Sequence, residues 1–254
     1  MTASERAAGQ GLPWLSVLTT PRRLQYLAGT LTAIDAAGGA DFPGRRVVSV
    51  DGAADLVRPL VPPGWSIDSL SPASRGTRKS MWEILHRAAG AGVPALLYFE
   101  DDVRLARNAI AVMARAEVPA EFGFLSFFQM NKGMPTAPGI YRYRKPSAEV
   151  SGFWGTQAFK VPARSLAQFA GPDPTPARYQ HACDVWIGEQ LVPGIVIPSI
   201  VRHVGVSSSI PSQFLHSITG EHVHRAGIAY AGDEADALEV LGHVVTLEAP
   251  ADRE

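Results

Sequence analysis

The sequence has a single cysteine, Cys183, among its 254 residues. One cysteine excludes a disulfide within the chain and every zinc site that needs two or more thiolates. It also suits a reducing compartment, where structural disulfides are rare. The first residues, MTASERAAGQG, include charged side chains and lack the apolar segment of a signal peptide. We therefore expect a cytoplasmic protein.

An excess of charge and a long apolar run are both missing. Lys and Arg number 23 against 24 Asp and Glu, which gives a formal net charge of -1. A chain so nearly neutral has no overall field that attracts nucleic acid or an anionic membrane. No stretch approaches the roughly 18 apolar residues that a membrane-spanning helix needs. With 46% hydrophobic residues the chain can still bury a large core, so we expect one domain with no membrane span and no nucleic-acid partner.

Three common site motifs are absent as well. The sequence contains no GxxxxGK[ST] phosphate loop, no GxGxxG after a predicted strand and no GxSxG nucleophile elbow. The segment LTTPRRLQY after the first predicted strand has no glycine. Nucleotidyltransferases that form sugar nucleotides usually carry a glycine-rich loop at this place, so its absence disfavours that class.

The hydrophobic pattern that is present predicts alternating strands and helices. WLSVLTT is typical of a short buried strand, and apolar residues from Leu24 to Ile34 then recur at helical spacing, with Thr20 as the cap. RRVVSVDG and VPALLYF predict two further strands. Strands that alternate with helices indicate an α/β fold with a largely parallel sheet.

The helices between and after these strands have their own signals. Ser80 and Glu83 have capping-box spacing, which predicts a helix that runs from there to Gly90. Apolar residues from Leu105 to Ala116 predict the helix behind VPALLYF.

The second half of the sequence is less regular. Residues 130–147 are rich in Gly, Pro, Tyr and basic residues, which is typical of a long functional loop. GFWGTQAFKVP and GIVIP are expected to form strands, and HACDVWIGEQL a helix. The pattern of ALEVLGHVVTL does not decide between helix and strand.

Three consecutive acids, Glu100, Asp101 and Asp102, follow the apolar run LLYF. One explanation is that an aspartate caps a helix that begins near Val103. Three adjacent acids fit this explanation poorly, because each negative charge makes its neighbours harder to ionise unless a cation compensates. Ligands of α/β sheets bind at the carboxyl ends of strands, and carboxylate oxygens suit Mg²⁺ or Mn²⁺. We therefore favour a metal-nucleotide site.

Several segments, in order over about residues 14–210, resemble glycosyltransferases of the GT-A fold. SVLTTPRRLQYLAGTLTAI is similar to their first strand and helix, and LLYFEDDV to their DxD-type metal motif in its EDD form. GFWGTQAFKVPARSLAQF resembles the glycine-containing segment before the acceptor side. PSIVRHVGVSSSI, with CDVW before it, is similar to a late segment of the N-acetylglucosaminyltransferase IV family.

The resemblance implies a GT-A type, Rossmann-like, mostly parallel sheet with flanking helices and a mixed acceptor-side half. The GT-A domain is expected at 14–216, between a flexible lead-in at 1–13 and an extension at 217–254 that packs on the same domain. The implied activity is metal-dependent, inverting transfer of a sugar from a UDP-sugar, with UDP-GlcNAc as one candidate. The acceptor hydroxyl belongs to a peptide, a small molecule or a glycan, and the composition fits a bacterial enzyme.

The same resemblance assigns the central roles. Asp102 and His203 match the expected ligands of Mn²⁺ or Mg²⁺, and Asp101 is expected to face the donor. A hydrogen-bonded structural role is the alternative for His203. Asp184 is the expected general base, with Glu189 as the second choice. On one helix these two acids lie about 140° apart, so both cannot face one site.

Four more residues are predicted to bind the donor. Thr20 and Arg22 lie near the start of one predicted helix and Arg78 near another, where amides and guanidinium groups hold phosphate. Asp51 ends a predicted strand and suits a ribose or base, although a turn before Gly52 explains it equally well. Each arginine has a solvent-exposed surface position as its alternative.

Trp154 and Gly155 are the predicted acceptor contacts. The indole of Trp154 suits stacking on a sugar face, and packing in the core is its alternative. Two other functions remain open from the residues alone. The first is a nucleotidyltransferase or phosphohydrolase with an acidic metal site, and the second is a non-catalytic module that binds sugar nucleotides.

Overall fold

The computed structural model of the protein describes residues 11–129, 134–143, 153, 155–173, 183–205 and 230–247. Within these ranges the strands are β1 (Trp14–Thr19), β2 (Arg45–Asp51), β3 (Ser66–Ser71), β4 (Ala95–Glu100), β5 (Val103–Leu105), β6 (Phe124–Ser126), β7 (Gly139–Arg142), β8 (Ala158–Pro162), β9 (Pro193–Ile197) and β10 (Val201–His203). The helices are α1 (Leu24–Ile34), α2 (Ala54–Val57), α3 (Thr77–Gly90), α4 (Ala109–Arg115), α5 (Ala163–Leu166), α6 (Cys183–Gln190) and α7 (Ala237–Leu241). No helix in the described ranges combines the length and the apolar character that crossing a membrane requires.

Eight strands form one sheet in the order β3-β2-β1-β4-β8-β6-β9-β7. The first four, β3, β2, β1 and β4, are parallel to one another. In the other half, β8 is antiparallel to both β4 and β6, β6 and β9 are parallel, and β7 runs antiparallel to β9 at the edge. The predicted α/β class, with a mostly parallel half and a mixed half, is confirmed.

Helices cover both faces of this sheet. Along β1 the side chains alternate, with Leu15 and Val17 in the core on one face and Trp14 and Leu18 in the core on the other. Apolar residues of α1, α4 and α7 complete the first core, and those of α3 and α6 complete the second. Because both faces are buried, β1 is apolar at most positions on both sides, as is typical of a parallel strand.

A second, two-stranded sheet lies directly after the three acids. β5 pairs antiparallel with β10, and Val103 lies opposite His203. The helix expected near Val103 is therefore wrong, because residues 103–105 are extended and α4 begins only at Ala109. With no helix after them, Asp101 and Asp102 do not act as helix caps.

Two predicted helix starts also need correction. α3 begins at Thr77, and the backbone N–H of Ser80 already bonds to the Gly76 carbonyl, 3.1 Å away, so Ser80 lies inside the helix. Glu83 accepts instead from Arg87, one turn later. α1 begins at Leu24 rather than beside Thr20, because residues 20–23 form a turn first.

Two strands differ from the sequence expectation, and the structure decides the state of one segment that the sequence left open. β3 was not predicted, and β7 lies within the segment 130–147 that was expected to be a loop. ALEVLGHVVTL begins with the helix α7, whose buried Leu241 packs into the core beside α4. Pairing with neighbouring strands, rather than local composition, explains β7, since its four residues form a regular ladder with β9.

Candidate active site

The carboxyl ends of β1 and β4 lie side by side. Leu18 pairs with Glu100, so Thr19, the last residue of β1, lies beside Asp101, the first residue after β4. The Thr19 hydroxyl donates to Oδ2 of Asp101 at 2.6 Å. From α1, the Thr30 hydroxyl donates to the backbone carbonyl of Asp101 at 2.7 Å. These two threonines fix the turn that carries the acids.

Arg23 supplies the positive charge at this edge of the sheet. Its Nε lies 3.4 Å from Oδ1 of Asp101, and its guanidinium forms an ion pair with Oδ2 of Asp102. Its neighbour Arg22, the arginine favoured from the sequence, is exposed and has no ion pair with any described residue. The compensating cation of the acidic cluster in this structure is therefore a protein side chain.

His203 and Asp102 meet through the small sheet. Nε2 of His203 lies 2.7 Å from Oδ2 of Asp102, and the backbone N–H of Val204 bonds to the Asp102 carbonyl at 2.8 Å. Gly205 follows so closely that a Cβ on it would collide with the Asp102 carboxylate and lie 2.9 Å from Nε2 of His203. The backbone here must therefore remain without a side chain.

Asp102, His203 and Glu100 can serve together as ligands of a divalent cation. One ligand atom from each lies within 4.8 Å of the others. Asp102 is completely buried, and its Oδ1 has no hydrogen-bond partner among the described residues. Burial lowers the pKa of His203, which favours the neutral imidazole that binds metals. The two carboxylates suit either Mn²⁺ or Mg²⁺, and the imidazole favours Mn²⁺ of the two, so the residues present fit the expected ion with Mn²⁺ as the better match.

A second acid, Asp184 on α6, lies beside this set. Its Oδ2 accepts from the backbone N–H of Gly155 at 3.2 Å, and its Oδ1 accepts from the thiol of Cys183 at 3.2 Å and from the hydroxyl of Thr156. The same Thr156 hydroxyl lies 2.9 Å from Oε1 of Glu100. Since a hydroxyl has one hydrogen, both contacts are hydrogen bonds together only when one of the two carboxyl groups carries a proton.

Burial raises the pKa values of these acids, which favours the protonated carboxyl group that the two contacts of Thr156 require. It raises the pKa of Glu100, and the nearby charge of Asp184 raises it further. It also raises the pKa of Asp184, against the hydrogen bonds from Thr156, Cys183 and Gly155 that favour the ionised form. The pKa of Asp101 is raised to about 6 by burial, which the charge of Arg23 partly offsets.

Cys183 could be a ligand only in principle. It forms a second group with Glu100 and Asp184 whose ligand atoms lie within 4.8 Å of one another. Burial raises the pKa of its thiol well above the usual value, so the thiol stays protonated and donates a hydrogen bond to Oδ1 of Asp184. A metal prefers the thiolate, and the set that contains His203 is therefore the better cation site.

Asp51 and Arg78, which were predicted to bind the donor, form hydrogen bonds and ion pairs with other residues of the chain. The Asp51 carboxylate accepts from the Ser74 hydroxyl at 2.8 Å and from the backbone N–H groups of Arg75 and Gly76 at 2.9 and 3.1 Å. It thus fixes the loop that leads into α3.

Arg78 is 1% exposed and pairs with Asp173 at 2.7 Å. Its guanidinium also lies 5.6 Å from the ring centre of Trp186.

Thr20 lies at the site itself. It lines a cavity of about 20 Å³ between the ends of β1 and β4, together with Thr19, Arg23, Glu100 and Asp101. This volume holds about one water molecule. The buried Thr20 hydroxyl has no partner among the described residues, so it can bond to a molecule placed there.

The remaining predicted residues, Asp184, Glu189, Gly155 and Trp154, differ in burial and in whether the structure describes them. Asp184 and Glu189 share α6, and the first is buried while the second is exposed, as their helical spacing requires. Gly155 contributes its backbone N–H to Asp184. Trp154 lies outside the described residues.

Sequence reasoning gave no role to Thr19 and Thr156, and it considered Arg23 as a phosphate ligand but ranked it below Arg22. The sequence does not distinguish the adjacent Arg22 and Arg23. Because α1 begins at Leu24, Arg23 takes the N-cap position, and its side chain faces the acids. Thr156 follows Gly155, which has a φ of 154° and so suits glycine. That glycine was the single local signal for the turn that presents the Thr156 hydroxyl.

Comparisons with known proteins assign this chain no family. The sequence matches no family model and no curated protein. Among solved structures, a crystal structure of mannose-1-phosphate geranyltransferase from Thermus thermophilus is similar to this chain, at 14% sequence identity and a TM-score of 0.43. The similarity covers 72% of this chain and 73% of that one. The α/β architecture of this chain rests on its own strand order.

Proposed function

We propose that this protein is a metal-dependent, inverting glycosyltransferase that moves a sugar from a nucleoside-diphosphate sugar to an acceptor hydroxyl. One observation carries the proposal. Glu100 shares one group of ligand atoms with Asp102 and His203 and another with Asp184. A cation site and a buried carboxylate that can act as a base are therefore direct neighbours at the carboxyl edge of the sheet, where α/β proteins bind ligands.

Asp184 is the proposed general base. Its three donors hold the carboxylate in one orientation and favour its ionised form. In the reaction the acceptor oxygen attacks the anomeric carbon of the sugar and gives its proton to Asp184. The bond from that carbon to the diphosphate breaks on the opposite face, and the electron pair leaves with the diphosphate, so the configuration is inverted.

Glu100, Asp102 and His203 are the residues that would hold a divalent cation. A cation bound there supplies positive charge for the diphosphate of the donor. Arg23 adds a guanidinium at the same edge, and such a group binds phosphate oxygens in pairs. Thr20 and Asp101 line the adjoining cavity, and we assign them to the donor as well.

Asp51 and Arg78 support the donor site indirectly in this proposal. Asp51 orders the loop at residues 74–76, and Arg78 anchors the start of α3 to Asp173. We propose that the acceptor binds near Gly155, because the backbone N–H of Gly155 donates to the proposed base; Trp154, the other predicted acceptor contact, lies outside the described residues. The resemblance to the N-acetylglucosaminyltransferase IV family makes UDP-GlcNAc the first donor to test.

Release of UDP tests the function. Purified protein should release UDP slowly from one member of a panel of UDP-sugars, UDP-GlcNAc first, when Mn²⁺ is present, and should stop when EDTA removes the ion. A nucleotidyltransferase would instead exchange labelled pyrophosphate into UTP in the presence of a sugar 1-phosphate. A binding module would show a thermal shift with a UDP-sugar and neither reaction. Either of these last two patterns would contradict the proposal.

A further inference from the structure

We infer that Arg23 and the divalent cation exchange places at Asp102, and that the released guanidinium then binds the diphosphate of the donor. This inference rests on the proposed function, since it takes the cation and the diphosphate from it. It adds a role for one side chain, Arg23, which neutralises the acids before the cation arrives and holds the donor afterwards.

The first argument is that the guanidinium of Arg23 and the divalent cation would both bind the carboxylate of Asp102. The guanidinium of Arg23 forms an ion pair with Oδ2 of Asp102, the same oxygen that lies 2.7 Å from Nε2 of His203. Asp102 is completely buried and the Arg23 side chain is 13% exposed. A divalent cation held by Asp102 and His203 would lie next to the guanidinium with little water between them, and like charges repel strongly in such surroundings.

The second argument is that Arg23 can leave without breaking the local backbone. It occupies the N-cap position of α1 and makes no side-chain capping bond there. Its guanidinium lies 5.6 Å from the ring centre of Tyr26, one turn into the helix. This cation–π contact can stabilise the guanidinium while it moves away from Asp102. An arginine side chain has several rotatable bonds, so the charge can move while the backbone stays in place.

The third argument concerns where the guanidinium goes. It starts at the carboxyl edge of the sheet and at the start of an eleven-residue helix, the region in which phosphate groups bind in such folds. A diphosphate that arrives with the cation presents oxygens that a guanidinium binds in pairs. The cation and the diphosphate should therefore bind cooperatively, so that each raises the affinity of the protein for the other.

Affinities for Mn²⁺ alone, measured by calorimetry without nucleotide, test the exchange. Arg23→Gln should bind Mn²⁺ about tenfold more tightly than the wild type, because no guanidinium competes for the carboxylates. Arg22→Gln removes the same charge one residue away on the exposed side and should change the affinity by less than about threefold, since exposed charges are screened. Equal affinity in wild type and Arg23→Gln, or an equal gain in Arg22→Gln, would overturn the inference.

The second half of the inference is tested with UDP at saturating Mn²⁺. Arg23→Gln should bind UDP about tenfold more weakly than the wild type, and Arg23→Lys, which keeps the charge without the planar fork, should lie between them. Unchanged UDP affinity in Arg23→Gln would overturn this half. No Mn²⁺ binding by wild type or variant would instead contradict the cation site of the proposed function, so the two failures are distinct.

A measurement on the wild type keeps the test independent of variant folding. The ¹⁵N–Hε signal of Arg23, identified by its loss in Arg23→Lys, should shift when Mg²⁺ is added and shift again when UDP follows. A signal that stays in place while a thermal shift shows that Mg²⁺ binds would overturn the exchange.

Discussion

Nε2 of His203 lies 2.7 Å from Oδ2 of Asp102, although 101 residues separate the two along the chain. The antiparallel pairing of β5 with β10 brings them together, because His203 lies opposite the residue that follows Asp102. Neither strand has more than three residues. This two-stranded sheet thus joins the acidic end of β4 to His203, and the proposed cation site depends on this pairing.

Asp102→Asn is expected to abolish Mn²⁺ binding. The substitution keeps the shape of the side chain but removes the charge of a fully buried ligand. The loss of affinity should exceed the roughly 10- to 100-fold that is typical of losing a partner outside the ligand shell. Calorimetry measures it, with Asp55→Asn as the control because the Asp55 side chain is 96% exposed. Wild-type affinity in Asp102→Asn would refute the ligand role.

Asp184→Asn and Glu189→Gln compare the two candidate bases on α6. Asp184→Asn should bind a UDP-sugar as the wild type does but lose about 100- to 10,000-fold in kcat, because the acceptor proton has no base to receive it. Glu189→Gln should retain turnover, since Glu189 is exposed. Donor titration and initial rates measure both effects. The reverse pattern would move the base to Glu189.

Thr156→Val tests the hydroxyl between Asp184 and Glu100. Valine has nearly the same shape but leaves both buried carboxyl groups without this partner. We expect the free energy of unfolding to fall by about 1–3 kcal/mol and kcat to fall more than KM rises. Thr156→Ser keeps the hydroxyl and should restore most of both quantities in chemical denaturation and rate measurements. Wild-type stability and kcat in Thr156→Val, together with a loss of both in Thr156→Ser, would show that the methyl group, rather than the hydroxyl, matters.

Gly205→Ala tests the close approach of the backbone to the cation site. A Cβ at Gly205 would meet the carboxylate of Asp102 and lie 2.9 Å from Nε2 of His203, so this pair must separate. We expect Mn²⁺ affinity to fall at least about tenfold, measured by calorimetry. Gly90→Ala is the control, because a Cβ there meets nothing within 4 Å. Unchanged affinity in Gly205→Ala would contradict the described geometry.

Asp173→Asn separates a structural role of Arg78 from a direct donor contact. The substitution leaves the buried guanidinium with a weaker partner. The free energy of unfolding should fall by an amount near the lower end of about 3–5 kcal/mol, because the Asp173 side chain is 23% exposed. Donor affinity of the folded protein should stay close to that of the wild type. A large loss of donor affinity at unchanged stability would instead place Arg78 on the donor.

Local patterns in the sequence were enough for the main strands. The apolar runs at β1, β2 and β4 and the helical spacing in α1 predict those elements, because each buries a continuous surface. β7 was missed because its residues are half-buried and polar in part, and pairing with β9 makes the strand. The helix expected after Asp102 failed for the same reason, since pairing with β10 overrides the local pattern.

The candidate site was predictable in part. Asp102, His203 and Asp184 were named from the resemblance to glycosyltransferases, and the structure brings all three close to Glu100. The inward direction of Arg23, rather than Arg22, follows from where α1 begins, and helix ends carry weak sequence signals. Thr156 belongs to the site only because the fold brings the end of β4 and the start of α6 together on either side of its hydroxyl.

Crystals grown with Mn²⁺ and UDP give the most direct test of the central proposal. Anomalous difference density collected at the manganese edge should show one strong peak between Glu100, Asp102 and His203, with the diphosphate beside it and the Arg23 side chain turned toward the phosphate oxygens. Density for UDP without a manganese peak at these residues, or a peak elsewhere with Arg23 still paired to Asp102, would contradict the account.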